Sequence, residues 1–158
     1  MREILFRGKR CDNGEWAQGY YIRAEHHWHK HGIHKDWITL GASANGGWFA
    51  LHNKYAVRAE TVSEFSGLTD KNGTKIFEGD YWLDTDGDYL VFVVEFRDGQ
   101  FGFVCYGTRG ALMPYGFDED AGGFGEIDFT PFSDWNMDLM EISGNIHDNP
   151  ELLKGGEG

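Results

Sequence analysis

The feature that most constrains the fold is a pair of short apolar runs on either side of an Asp-Gly dipeptide. The first run is YLVFVVEF at residues 89–96, and FGFVCY at residues 101–106 follows the turn. Aromatic and β-branched residues are favoured in strands. Asp98 and Gly99 supply the two positive-φ positions of a type I′ turn. The sequence therefore predicts an antiparallel hairpin here.

Further turn signals divide the rest of the chain into short segments that favour strands. Residues 3–9 and 16–24 alternate between apolar and polar side chains on either side of a short turn. Asn72 and Gly73 form another tight-turn signal, and weaker strand candidates lie within residues 39–53. Since the chain also has 23 glycines and only 3 prolines, we predict a mainly β fold.

Helix signals are confined to the C-terminal part of the chain. The segment NPELL at residues 149–153 begins with an N-cap residue and a first-turn proline, which predicts one or two helical turns. Residues 132–140 are compatible with a second short helix capped by Ser133 or Asp134, or with a strand over 137–142. In either case we expect little helix.

Length, hydropathy and cysteine usage limit the class of protein. The 158 residues suffice for one domain, or for two small interlocked subdomains, with a real hydrophobic core. No run approaches the roughly 18 apolar residues of a membrane span, and the opening MREILFRGKRC lacks the apolar centre of a secretory signal. Cys11 and Cys105 lie far apart, outside any CxxC pair, and are predicted to be free thiols. We expect a cytoplasmic protein that does not contact a membrane.

Three segments carry a resemblance to a known family. They are MREILFRGK at residues 1–9, FSGLTDKNGTKIFEGDYW at 65–82 and EISGNIHDNPELL at 141–153. Their order and spacing resemble those of the YopX family of small phage and prophage proteins, over the whole chain apart from variable stretches at 24–60 and 107–135. The resemblance implies a largely β protein in a bacterial host, with a small barrel and a tendency to self-associate, and it implies no established activity.

The residue types in the central segment, residues 65–82, can be explained by the requirements of folding alone. Gly67 fits a position of positive φ. Asn72 and Gly73 make a hairpin turn, and Asp80 can accept backbone hydrogen bonds at the start of the next strand. Asp80 follows a glycine, and a Gly-Asp pair before a strand is common in small SH3-like barrels, which favours that architecture. Four apolar residues of the segment are expected to face a core: Leu68, Ile76, Phe77 and Trp82.

Histidines form the sharpest local cluster. HHWHKH at residues 26–31, followed by His34, places five of the seven histidines within nine positions. In an extended strand His27, His29 and His31 would project from one face and could bind Zn²⁺ or Ni²⁺. Alternate positions lie about 6.6 Å apart, however, which is too far to share one ion without bending. We therefore interpret the cluster as a polar loop or edge strand and expect no metal.

A second candidate metal site is DTDGD, which partly resembles a calcium-binding loop. Asp84, Asp86 and Asp88 occupy positions 1, 3 and 5, and Glu95 occupies position 12. The sharp turn of such a loop requires glycine at position 6, where Tyr89 stands. The segment is better interpreted as an acidic hairpin turn.

Motifs for nucleophilic catalysis and phosphate binding are absent from the sequence, which holds no GxSxG, P-loop or GxGxxG. We therefore assign no catalytic, cofactor-binding or metal-binding residues. The sequence predicts a protein that is not an enzyme and takes no cofactor.

Negative charge is concentrated in residues 110–153. The chain has a formal net charge of −12, and this segment holds ten acidic residues and no Lys or Arg. Direct binding to nucleic acid through that face is excluded, because such affinity rests on Lys and Arg that neutralise phosphates. Two interpretations stay open. The segment is either an interaction face for a basic protein, which could imitate a phosphate backbone, or a solvated surface that maintains solubility.

These observations predict a specific organisation. We expect an N-terminal β segment at residues 1–64, containing the His-rich insertion, packed on an SH3-like small β-barrel at residues 65–150. A C-terminal tail follows at 151–158, and the whole forms one compact structural unit.

The leading hypothesis for function is a non-enzymatic phage or prophage accessory protein. It would act through self-association as a homo-oligomer and by binding a host or phage protein. The alternative is an acidic DNA mimic or anti-host inhibitor that binds a basic host protein. A metal-dependent enzyme built on the cluster from His26 to His34 is the least favoured hypothesis.

Overall fold

The computed structural model describes residues 3–26, 33–45, 48–84, 90–107, 117–118, 123–124 and 129–150. The chain divides into two compact units, Met1–Gly67 and Leu68–Gly158, called here the N-terminal and the C-terminal unit. The described residues form antiparallel strands and short 3₁₀ turns, without an α-helix. The prediction of a mainly β fold is therefore confirmed.

The expected SH3-like barrel is not found. The described residues form two larger antiparallel sheets and one separate two-stranded ladder, and no closed barrel is found among them. The same residues contain no helix long and apolar enough to cross a membrane.

The N-terminal unit is built on one antiparallel sheet in which the first four strands pair in chain order and the fifth pairs with the other edge of the first. Its strand order is β4-β3-β2-β1-β5, followed by β6 (Lys75–Phe77), and the last residues of β5 belong to the C-terminal unit. The strands are β1 (Phe6–Lys9), β2 (Trp16–His26), β3 (Ile33–Asn45), β4 (Trp48–Val57) and β5 (Ser63–Thr69). The predicted pairing of the first two strands is confirmed, and the weak signals within residues 39–53 correspond to two long strands.

One face of this sheet carries the core of the N-terminal unit. Ala17, Ile38 and Val57 are buried there, with Phe6, Tyr21, Tyr55 and Val62 packed against them. Successive residues of a strand point to opposite faces of the sheet. The residues that alternate with these core residues therefore belong to the opposite face.

Backbone hydrogen bonds join the end of β1 to the end of β4. The amide of Arg58 donates to the carbonyl of Lys9 at 2.8 Å, and the amide of Cys11 donates to the carbonyl of Ala56 at 2.9 Å. The end of β4 is therefore held beside the end of β1. Cys11 is exposed, Cys105 is buried, and both are free thiols, as predicted.

The C-terminal unit contains a five-stranded sheet with the order β12-β9-β8-β7-β13 and a separate two-stranded ladder, β10-β11. Its strands are β6 (Lys75–Phe77), β7 (Asp80–Asp84), β8 (Leu90–Arg97), β9 (Gln100–Gly107), β10 (Phe117–Asp118), β11 (Gly123–Phe124), β12 (Phe129–Pro131) and β13 (Gly144–Asn145).

The central hairpin, β8 and β9, forms as predicted. Arg97 and Gln100 are register partners across the turn. Asp98 and Gly99 have φ values of 50° and 83°, the positive values that a type I′ turn requires.

Both faces of the five-stranded sheet are apolar. One face carries the larger cluster, in which Phe92, Phe103 and Phe132 are buried and the ring of Trp135 contacts Phe92 and Phe103 edge-on at 5.3 Å. The smaller cluster contains Tyr81, Val91 and Val93.

Four apolar residues were expected to face a core. Ile76 and Phe77 are buried, and Trp82 packs against the larger cluster. Leu68 is 39% exposed, so the prediction for this residue is wrong. Leu68 lies just after Gly67, whose φ of 91° confirms the predicted left-handed conformation.

Residues 132–140 form neither a continuous helix nor a strand. They contain two 3₁₀ turns, Phe132–Asp134 and Met137–Leu139, separated by extended backbone at Trp135. The second turn is capped by Asn136, whose side chain accepts from the amide of Asp138 at 3.2 Å. Short polar side chains here bond to nearby amides and so compete with an α-helix. Most of the helix predicted at 149–153 lies outside the described residues.

Candidate functional site

The central segment and the closing segment of the chain meet in the C-terminal unit, at the turn that follows β5. Asp70 is buried at the start of this turn. One of its carboxylate oxygens accepts the amides of Asn72 and Thr74, both at 2.9 Å, while the other accepts the amide of Ile142 at 3.2 Å. The amide of Lys71 donates to the carbonyl of Met140 at 2.9 Å. The Asn-Gly turn is therefore attached to the closing segment by side chain and backbone.

A second junction lies between β7 and β13. Asp80 accepts the amide of Phe77 at 2.8 Å, which confirms the predicted backbone bond at the start of the strand. Its other carboxylate oxygen accepts the side-chain amide of Asn145 at 3.1 Å. Asp80 and Asn145 are both buried and are register partners. Asn145 also accepts the amide of His147 at 2.8 Å.

The charge state of Asp70 follows from this geometry. Burial alone would raise the pKa of the Asp70 carboxyl, but the hydrogen bonds from Thr74, Ile142 and Asn72 together outweigh it and lower the pKa. The carboxylate is thus held charged by donors that are part of the fold. Because both carboxylate oxygens already accept backbone amides, the group stabilises the junction and is poorly suited to exchange a proton with a substrate.

A different surface is found on the N-terminal unit, on the sheet face opposite its core. Register partners point to the same face of a sheet, so Lys9 and Trp16, which are register partners, lie side by side. Lys54 pairs with Thr39, two positions from Trp37, and therefore shares this face. We call this surface the basic-aromatic face, formed by Arg7, Lys9, Trp16, Tyr20, Lys35, Trp37 and Lys54.

The cations of this face lie over its aromatic rings. The Nζ atoms of Lys35 and Lys54 are 5.9 Å and 5.1 Å from the centroid of the Trp37 ring. Trp16 is approached in the same way by Arg7 at 4.5 Å and by Lys9 at 5.5 Å. Distances below about 6 Å are within the range of cation–π attraction. The Trp rings thus hold the cations in fixed positions on one surface.

Acidic side chains are missing from this face within the described part of β1 to β4. The acids of these strands, such as Asp36, alternate to the core face, where Asp36 accepts a hydrogen bond from the Tyr21 hydroxyl and lies 3.9 Å from Arg23. That hydrogen bond, with burial, raises the pKa of Tyr21. The segregation leaves a positively charged surface on an acidic protein.

Charge is also divided between the two units. Met1–Gly67 contains nine Lys and Arg against seven Asp and Glu, a formal net charge of +2. Leu68–Gly158 contains five Lys and Arg against nineteen Asp and Glu, a formal net charge of −14. The acidity of the chain therefore belongs to one structural unit.

Part of the acidic segment predicted at 110–153 is described. It includes residues 134–141, called here the acidic turn, which contains the second 3₁₀ turn. Asp134, Asp138 and Glu141 are exposed in it, and Glu141 pairs with Lys71 at 2.5 Å. Leu139 stands among these acids with 72% of its surface exposed. The acidic turn therefore presents two carboxylates and one apolar side chain to solvent.

The histidine cluster falls largely outside the described residues. β2 ends at His26 and β3 begins at Ile33, and these two residues are register partners. His27, His29 and His31 lie between them, outside the described residues. Among the residues that are described, no group of three or more His, Cys, Asp or Glu side chains could hold a metal ion.

The calcium-like segment is a connection between paired strands. Asp84 ends β7 and is the register partner of Leu90 at the start of β8, as expected of a hairpin. Glu95, which would be the last calcium ligand, instead accepts hydrogen bonds from Arg97 at 2.7 Å and 2.9 Å. Asp86 and Asp88 lie outside the described residues.

The family model described as YopX protein matches residues 5–154. The chain belongs to the YopX family. The match extends through both structural units and includes most of all three segments on which the resemblance rested. No curated protein matches the chain.

The geometry gives the three segments a structural role in this YopX family chain. Asp70 and Asp80 of the central segment bond to Ile142 and Asn145 of the closing one. Residues 65 and 5 are joined in the N-terminal unit, where the amide of Phe65 donates to the carbonyl of Leu5 at 2.8 Å. The interpretation that the central segment serves folding is supported by these bonds.

Sequence reasoning missed the basic-aromatic face. The signal was present in the alternation of Lys35 and Trp37 with Asp36 and Ile38, which puts the cation and the ring on one side of a strand. The whole face does not follow from the sequence, because Lys54 joins the others only through the pairing of β3 with β4.

Proposed function

We propose that this YopX family protein is a non-enzymatic phage or prophage accessory protein that acts through self-association and through binding other proteins. The proposal places it in the bacterial cytoplasm, in keeping with its free thiols. The observation that supports this proposal is the division of charge: the N-terminal unit has a formal net charge of +2 and the C-terminal unit one of −14.

Charge division favours contacts between copies. A surface with one sign of charge attracts a complementary surface, which speeds encounter and selects its orientation. A chain that carries both signs on separate units presents a complement to every other copy of itself. Aromatic side chains are favoured at interfaces, and Tyr20 leaves 58% of its surface exposed on the basic-aromatic face.

The non-enzymatic part of the proposal is supported by the use of the buried carboxylates. Asp70 and Asp80 are the buried acids of the central segment, and both bond to backbone amides. Groups used in this way position backbone and are poorly placed for general acid or base catalysis.

Self-association is tested by sedimentation velocity and light scattering of the purified protein over a range of concentrations, at low and at moderate salt. We expect an oligomer whose population rises with concentration and falls with added salt, since exposed charges are screened. A strict monomer at high concentration and low salt would refute self-association.

A second candidate function is an acidic inhibitor that binds a basic host protein, which the net charge of −14 on Leu68–Gly158 favours. The same preparation, used as bait for host proteins at low and moderate salt, distinguishes the two. An inhibitor would retain a basic DNA-handling protein at low salt and release it as salt rises. Retention that does not respond to salt would contradict this candidate.

A further inference from the structure

We propose that the basic-aromatic face of one copy receives the acidic turn of a second copy, so that the protein assembles head to tail. This inference rests on the proposed self-association and identifies the two surfaces that meet. The occupant is a second copy of this chain, and the determining side chains are Lys35 and Lys54 on one copy and Asp134 and Asp138 on the other.

The receiving surface combines fixed charge with apolar area. Lys35 and Lys54 are exposed, and both Nζ atoms lie within 6 Å of the Trp37 ring centroid. Because the ring already restrains the lysine side chains, less side-chain entropy is lost when they pair with carboxylates. Tyr20 is exposed on the same face and offers apolar contact with a hydroxyl at its tip.

The acidic turn is the complement of this surface. Asp134 and Asp138 are exposed on either side of a short extended stretch, and Asn136 fixes the turn by accepting the amide of Asp138. Leu139, between Asp138 and Glu141 in the sequence, has an exposed side chain. An exposed leucine flanked by carboxylates fits a surface in which aromatic rings are flanked by lysines.

The proposed contact is heterologous, since the two surfaces lie on different units of the chain. Such contacts build rings if the rotation closes and open filaments if it does not. A heterologous contact also has a diagnostic property. A copy that lacks only the receiving face still donates its turn, and a copy that lacks only the turn still offers its face.

The experiment uses two full-length double variants. Lys35→Gln with Lys54→Gln removes the receiving charge, and Asp134→Asn with Asp138→Asn removes the donated charge. All four residues are exposed, so circular dichroism should show that both variants fold. Each variant alone is expected to lose self-association, with a dissociation constant raised about tenfold or more at low salt.

Mixing the two variants provides the sharper measurement. One intact contact remains between them, so sedimentation should detect a 1:1 heterodimer that does not grow further. A matched control compares Lys54→Glu with Arg23→Glu, because Arg23 is exposed, is the register partner of Asp36 on the opposite face of the sheet, and undergoes the same change of charge. Only the Lys54 variant should weaken association.

The possible failures are distinguishable. If the unaltered protein associates but neither double variant changes it, the assigned surfaces are wrong while self-association stands. Equal effects of Lys54→Glu and Arg23→Glu would show that net charge, rather than this face, controls association. If the unaltered protein never associates but binds a labelled single-stranded oligonucleotide through Lys35 and Lys54, the face serves nucleic acid and both proposals fall.

Discussion

Replacement of Asp70 by Asn tests whether the Asp70 carboxylate stabilises the junction between the central segment and the closing segment. In the structure the carboxylate accepts three amides, from Asn72, Thr74 and Ile142. An Asn side chain keeps one acceptor oxygen for the turn. Its amide group would then face the Ile142 amide, donor against donor.

The expected loss can be estimated from these bonds. Asn72 and Thr74 are exposed, so their amides can be hydrated, whereas Ile142 is half-buried. A hydrogen bond to a charged group contributes about 1.5–3 kcal/mol, and a donor left unsatisfied in a partly buried site costs about 1–3 kcal/mol. We expect Asp70→Asn to reduce the free energy of unfolding by about 2 kcal/mol at pH 7. Asp134→Asn, at an exposed position, should change it by less than about 0.5 kcal/mol.

The loss should also depend on pH. The pKa of Asp70 is lowered in the folded protein, below the value of about 3.9 expected in the unfolded chain. The stabilisation is therefore complete above the unfolded pKa and is lost as the pH falls through the folded pKa. The difference between the unaltered protein and Asp70→Asn should shrink below about pH 4.

Urea unfolding, followed by circular dichroism and by tryptophan fluorescence at pH 7 and pH 3.5, measures both effects. Coincidence of the two signals checks that unfolding is two-state. If Asp70→Asn is as stable as Asp134→Asn at pH 7, or if its deficit is the same at both pH values, the assigned role of the carboxylate is wrong.

Two further predictions use matched pairs in the same unfolding assay. Gly19→Ala would press a methyl group against the carbonyl oxygen of Thr39, with the carbonyl carbon 3.0 Å away, and should cost about 1–3 kcal/mol or more. Gly41→Ala meets no heavy atom within 4 Å and should cost much less, so equal losses would contradict the geometry. Phe103→Ala empties a site that is 1% exposed and should cost about 3–5 kcal/mol. Phe96→Ala, at a residue that is 44% exposed, should cost less than half of that, and the reverse order would refute the assigned core.

The parts of the fold that sequence predicted correctly depend on neighbouring residues. The β8-β9 hairpin follows from apolar strands beside Asp98 and Gly99, and the next clearest turn follows from Asn72 and Gly73. In both cases a few adjacent residues fix the backbone angles, so no knowledge of the rest of the chain is needed.

The predictions that failed required distant residues. A glycine followed by Asp80 suggested a barrel, but that pair only organises the start of β7, whereas closure of a barrel depends on which edge strands meet. The lengths of β3 and β4 were underestimated because their two faces mix polar and apolar residues. Asp36 and Thr39 are both buried, and their partners, Tyr21 and His52, lie on neighbouring strands.

The junction and the basic-aromatic face have different physical roles, and this difference explains why only one of them was visible in the sequence. The junction is built on Asp70, Asp80 and Asn145, which are buried and bonded within the C-terminal unit, so their pattern is fixed by folding. The exposed residues of the face, Tyr20, Lys35 and Lys54, come from three separate strands, and alternation along each strand segregates the cations from the acids. An acidic protein can therefore carry a positive surface without any basic run in its sequence.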